Sequence, residues 1–169
     1  LFGIDVQDNS GSVSGGGDVN GDGLVDVMYN NGTQAAAGIN GVYINNGSSG
    51  FTKNTNYNLP TYFIDPNNNS TGLTPLDING DGLVDLSVNN DQCGAICTTV
   101  YINQGNGAWT IDSQYYTPGL FIPWLSDING DGLVDILEHY SNTSDGLKRG
   151  AFINNGRGWT ISNGWQSPE

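Results

Sequence analysis

The sequence predicts an all-β chain of three tandem four-stranded antiparallel meander repeats, propeller-blade-like, forming part of a propeller or an open repeat stack. Two observations carry that expectation. The 169 residues include 26 Gly and 23 Asn, residues that favour turns and positive φ, while good helix formers are scarce; many short strands with tight turns fit this usage. The string Asp-x-Asn-Gly-Asp-Gly-Leu-Val-Asp also occurs three times, at Asp18–Asp26, Asp77–Asp85 and Asp127–Asp135, so that the copies start 59 and 50 residues apart. That period is near the length of a propeller blade.

Each copy contains the same elements in the same order. A first strand leads into the Asp motif, as in Thr74-Pro75-Leu76, and a second leaves it, as in Leu83 to Val88. The third is the string Val42-Tyr43-Ile44-Asn45, repeated as Val100-Tyr101-Ile102-Asn103 and Ala151-Phe152-Ile153-Asn154. Its Asn stands 19, 18 and 19 residues after the last motif Asp. After a Gly turn the fourth strand begins on an aromatic and a Thr: Phe51-Thr52, Trp109-Thr110 and Trp159-Thr160. β-Branched and aromatic residues at these places support strands, and the Asn-Gly pairs support tight reversals.

Alternation puts Val25, Val27 and Tyr29 on one side of the second strand, with Val84, Leu86 and Val88 equivalent. A single meander cannot bury both faces, so the units are expected to stack. Pro60 and Pro118 close the first two units, which sets the units at 1–60, 61–118 and 119–169. The two ends of the chain have the same repeat phase. That phase predicts continuation into further repeats or neighbouring copies, the expected protein partners, in a larger assembly or filament.

Charge and hydropathy exclude two partner classes. Four Lys plus Arg stand against 17 Asp plus Glu, a formal net charge of -13, and nucleic-acid binding needs a basic surface to neutralise phosphates. No apolar run approaches the ~20 residues required to cross a bilayer.

The chemistry lies in the Asp motif. Oxygen-bearing side chains occupy loop positions 1, 3, 5 and 9: Asp18, Asn20, Asp22 and Asp26; Asp77, Asn79, Asp81 and Asp85; Asp127, Asn129, Asp131 and Asp135. Three carboxylates within nine residues repel one another unless a cation sits among them. Calcium suits a flexible shell of six to eight hard oxygens, whereas Zn prefers His or Cys and Mg demands stricter geometry. Gly at position 6 (Gly23, Gly82, Gly132) allows the sharp turn. The Leu at position 7 (Leu24, Leu83, Leu133) is expected to offer its carbonyl while its side chain anchors the loop in the core. Three Ca2+ sites are expected. The third copy also fits a helix-loop-helix calcium pattern, with Glu138 at position 12, but Tyr29 and Val88 hold that place in the other copies, and Glu138 is read as coincidental.

These loops, each followed by an aromatic strand and an Asn-x-Gly segment, resemble the FG-GAP and VCBS repeats of integrin alpha-chain propellers, some fungal lectins and bacterial surface or toxin proteins. The resemblance spans nearly the whole chain. It implies propeller blades with calcium in the loop between strands one and two. Such blades serve adhesion, sugar binding or scaffolding, and fold alone does not choose among them. Three units are fewer than the four to eight of a typical propeller.

The remaining candidates are sparser. Cys93 and Cys97 are the only cysteines and are expected to form a local disulfide, which favours an oxidising, extracellular or cell-surface location. Asn31, Asn46, Asn68, Asn69 and Asn142 lie in glycosylation sequons. Trp109 and Trp159 share the repeat position of Phe51 and are expected to pack between blades; Trp124 and Trp165 are candidates for stacking on sugars. His139 is the sole His, and no Gly-x-Ser-x-Gly elbow is present. The expected function is therefore a non-catalytic extracellular calcium-binding module with a structural or adhesive role, and the alternative is a calcium-dependent lectin-like segment with glycan partners.

Overall fold

The computed structural model describes residues 13–30, 41–48, 50–61, 63, 71–90, 97–115, 117–118, 124–139, 149–162 and 164–165. They form three antiparallel sheets, one per repeat. The first takes β1 (Val13–Gly17), β2 (Asp26–Asn30), β3 (Gly41–Asn45) and β4 (Phe51–Asn54) in sequence order. The second takes β5 (Thr74–Leu76), β6 (Asp85–Asn90), β7 (Cys97–Asn103) and β8 (Trp109–Ile111). A fifth short strand, β9 (Thr117–Pro118), pairs with the start of β7. In the third sheet β10 (Trp124–Ser126), β11 (Asp135–His139), β12 (Arg149–Asn154) and β13 (Trp159–Ser162) follow the same order.

The meanders are those the repeat predicts, with three local differences. The second strand starts at the last motif Asp, two residues later than expected, because the Leu83 N–H is already taken by the Asp81 carboxylate at 2.9 Å. Next, a 3-10 turn at Ser113–Tyr115 carries the chain from β8 to β9. Third, β9 makes the middle sheet five-stranded rather than four. Pro75 is accommodated because β5 lies at a sheet edge, where a missing N–H costs no ladder bond. Glu138 lies within β11, so the third loop runs into a strand and not into the helix that a helix-loop-helix site requires.

Register is held across the repeats. Asn45 pairs with Phe51, Asn103 with Trp109 and Asn154 with Trp159. The core lies between the sheets. Val19, Met28 and Val42 of the first unit cluster with Val84 and Leu86 of the second, and Tyr101 and Trp109 pack against them. Ile78, Val100, Ile102 and Tyr115 of the second unit form the next cluster, against which Trp159 of the third packs. One face of each sheet therefore covers the opposite face of the next. A fully buried Leu or Val contributes roughly 1.5–3 kcal/mol, so these clusters bind the units together. Trp109 and Trp159 pack between units, as the repeat position predicts.

Backbone contacts tighten the joint. The Val84 N–H donates to the Asp18 carbonyl at 2.7 Å, and a Cβ on Gly17 would come within 2.5 Å of the Val84 Cβ. The Tyr57 hydroxyl donates to the Gly105 carbonyl at 2.9 Å, and the Trp159 indole N–H to the Tyr115 carbonyl at 3.0 Å.

The two sides of the stack differ in cover. Val84, Leu86 and Val88 are buried as the alternation predicts, whereas Val25, equivalent to Val84, is 54% exposed and Val27 and Tyr29 are half-buried. Tyr29 stacks on Tyr43 with ring centroids 5.0 Å apart, and Lys53 lies over the Tyr29 ring. Cys93 lies outside the described residues and Cys97 is placed by its backbone alone; no disulfide joins any described residues. The sequon residues Asn31, Asn68, Asn69 and Asn142 also lie outside. Asn46 is exposed, and its amide donates to the Thr52 hydroxyl at 2.7 Å.

Candidate metal centre

Each Asp motif forms the loop between strands one and two of its sheet, and the three loops share one hydrogen-bond pattern. At position 1, Asp18 accepts the N–H groups of Gly21 and Gly23, each at 2.7 Å. Asp77 does the same with Gly80 and Gly82, and Asp127 with Gly130 and Gly132. At position 3 the Asn20 carbonyl oxygen accepts the Asp22 N–H, and its amide donates to the Asp22 carboxylate, both at 3.0 Å. Asn79 and Asn129 repeat both bonds. At position 5, Asp22, Asp81 and Asp131 accept the N–H of the Leu at position 7, each at 2.9 Å.

This winding requires glycine at two places. Gly23, Gly82 and Gly132 have φ of 82°, 88° and 89°, as the sequence reading expects at position 6. Position 4 is equally demanding, with Gly21, Gly80 and Gly130 at 82°, 78° and 81°. Both lie in the left-handed region that only glycine enters freely.

Position 9 differs from the other three. Asp26, Asp85 and Asp135 are wholly buried, whereas Asp22, Asp81 and Asp131 at position 5 are exposed and Asp18 and Asp77 at position 1 are half-buried. One oxygen of the position 9 carboxylate accepts the N–H of position 2 (Val19, Ile78, Ile128) at 2.9–3.0 Å. The other accepts the N–H of the third-strand Asn (Asn45, Asn103, Asn154) at 2.8 Å. Burial pushes the Asp85 carboxyl up to about 7 against the pull of those two N–H groups, and Asp81 and Asp77 push it further. Asp26 is raised for the same reasons. Burial of a carboxylate beneath two more leaves charge that wants a cation.

The donor chemistry fits calcium. Every side-chain donor is a hard oxygen, the carboxylates keep lone pairs beyond the bonds they accept, and no Lys or Arg pairs with a loop carboxylate among the described residues. Among those residues no three acidic, His or Cys side chains converge into a cage; the loop carboxylates hold their own backbone amides. The expectation that the position 7 Leu anchors its loop in the core needs correction. Leu24 is 37% exposed and Leu83 and Leu133 are half-buried. Leu83 and Leu133 lie against the position 4 glycine of the preceding unit, where a Cβ on Gly21 or Gly80 would come within 3.3 or 2.6 Å.

Sequence reasoning did not assign a role to the third-strand Asn. Its N–H bonds the buried Asp, and its side chain bonds the preceding unit: Asn103 donates to the Val19 carbonyl at 2.9 Å and Asn154 to the Ile78 carbonyl at 2.6 Å. The signal was its near-constant distance from position 9. The side chains of Trp124, Glu138 and His139 lie outside the described residues.

No curated protein matches this chain. The family model described as FG-GAP-like repeat matches residues 18–88 and 77–138, each match starting on the first Asp of a loop. With the blade-like sheets and their loops on that frame, the chain belongs to the FG-GAP-like repeat family.

Proposed function

We propose that the chain is a non-catalytic, extracellular calcium-binding repeat module with a structural or adhesive role in a larger repetitive assembly. The observation that carries the reading is a wholly buried Asp at position 9 in the same short loop as two further carboxylates, with no Lys or Arg pairing among the described residues, repeated in three loops. The ion of the first loop would be held by Asp18, Asn20, Asp22 and Asp26 with the Leu24 carbonyl, and those of the other loops by the equivalent residues. Bound calcium supplies the positive charge that lets these carboxylates crowd together. FG-GAP repeats generally serve binding and scaffolding rather than catalysis, which supports the non-enzymatic assignment. Extracellular modules bind calcium with dissociation constants of about 0.1–1 mM, which suits a location where calcium is abundant. Titration calorimetry should find three sites in that range. No binding heat and no change in melting temperature at millimolar calcium would refute the calcium assignment.

Carbohydrate binding is a second reading. It rests on Trp165, 45% exposed, and on an open polar groove lined by Asn20, Asn46, Thr52, Asn54 and Tyr57. Reproducible glycan-array binding lost in Trp165→Ala would favour it; an array without binders would remove it.

A further inference from the structure

We infer that the open face of the first unit receives the outer face of the third unit of a second copy of this chain, head to tail, in the geometry that joins its own units. The inference deepens the assembly reading above and does not depend on calcium. It rests on an interface that the chain builds twice.

Units two and three each present the same residues to the unit before them. The position 7 Leu covers the position 4 glycine, the third-strand Asn donates to the position 2 carbonyl, and the aromatic of the fourth strand enters the preceding core. The first unit presents the same set, and among the described residues no further unit covers it. Phe51, which holds the place of Trp109 and Trp159, is 52% exposed; Val25, the counterpart of buried Val84, is 54% exposed; Leu24 is 37% exposed. Among the described residues the Asn45 amide reaches only the Val25 carbonyl of its own unit, at 3.2 Å, whereas Asn154 bonds both its own Val134 carbonyl and the preceding unit.

The third unit offers the complementary face. A Cβ on Gly130 would meet nothing within 4 Å, although Gly21 and Gly80 lie beneath a Leu. Ile128 is half-buried where Val19 and Ile78 are buried, which leaves its carbonyl at the place that Asn103 and Asn154 reach in the other units. Trp165 stands six residues after Trp159, as Tyr57 and Tyr115 follow Phe51 and Trp109. Tyr57 packs into the first cluster and Tyr115 is buried against Trp159 of the next unit, but Trp165 is 45% exposed. Among the described residues, four of the six large exposed hydrophobic side chains thus belong to these two faces. The faces are unlike each other, so the contact is heterologous: each added copy leaves one of each face free, unless the copies close into a ring.

Sedimentation of the full chain tests this with two variants at exposed positions, Phe51→Glu on one face and Trp165→Glu on the other. The wild type should associate with rising concentration. Each variant alone should associate at least tenfold more weakly, with unchanged circular dichroism, while an equimolar mixture restores 1:1 pairs through the one intact face of each partner. A wild type that stays monomeric from micromolar to millimolar concentration overturns the proposal. So does a variant that associates like the wild type, or a mixture that forms no pairs. Three calcium sites measured in the same non-associating chain would leave the metal assignment standing while this contact falls.

Discussion

Asp85 and Asp81 sit four residues apart in one loop and do different work. The Asp85 carboxylate is buried and accepts the backbone N–H groups of Ile78 and Asn103, which have no other acceptor among the described residues. Asp85→Ala should strand both donors, and at about 1–3 kcal/mol for each unpaired buried group the urea midpoint should fall by an equivalent of roughly 2–6 kcal/mol, with or without calcium. Asp81 is exposed and bonds only its own loop. Asp81→Ala should remove one of three calorimetric calcium sites and lower the melting temperature mainly when calcium is present. The Asn positions give a matching contrast. Asn103→Ala deletes a buried bond between units and should cost about 1–3 kcal/mol in denaturant melts, while Asn45→Ala, on the open face, should stay within about 0.5 kcal/mol.

At the level of the element, the strands are short and the loops hold their ends in place. The loop wraps the position 1 carboxylate with two N–H groups and then hands the chain to a strand that begins on the buried Asp. The strand-two sidedness, the Asn-x-Gly turns and the aromatic strand were legible because a period of two and the turn residues are local properties of the chain. The 3-10 turn and β9 were not. Thr117–Pro118 becomes a strand only because the start of β7 offers it a partner, and pairing between distant segments leaves no local pattern. Gly17 is a similar case: a glycine in β1 looks like a weak strand residue, yet Val84 of the next sheet lies where its Cβ would go. Gly17→Val should overpack this joint and cost about 1–3 kcal/mol or more, read as a lower melting temperature with the sheet content of the folded state retained.

Across the whole molecule, the loops concentrate charge that stacking brings into sequence. Nine of the 17 acids lie in the three loops, and three calcium ions would move the formal charge from -13 to -7. Each site filled at 100 times its dissociation constant contributes about 2.7 kcal/mol, so chelation, which empties three sites, should lower the melting temperature by more than Asp81→Ala, which empties one. Low ionic strength should enlarge the difference, because repulsion between exposed carboxylates is then least screened.

The sequence by itself determined the three units, their strand order, the oxygen-bearing loop positions and the aromatic that packs between blades, since all of these recur at fixed spacing along one chain. The tertiary structure decided which of equivalent residues are buried. Val25 and Val84, Phe51 and Trp109, Leu24 and Leu83 hold the same places in their repeats, and a neighbouring sheet covers the second of each pair, burying Val84 and half-burying Trp109 and Leu83. It also separated the position 9 Asp, wholly buried and clamped to the third strand, from the exposed Asp at position 5. Four oxygen-bearing residues look alike in a motif, but burial is a property of what lies on the other side of the loop, and no spacing within nine residues records it.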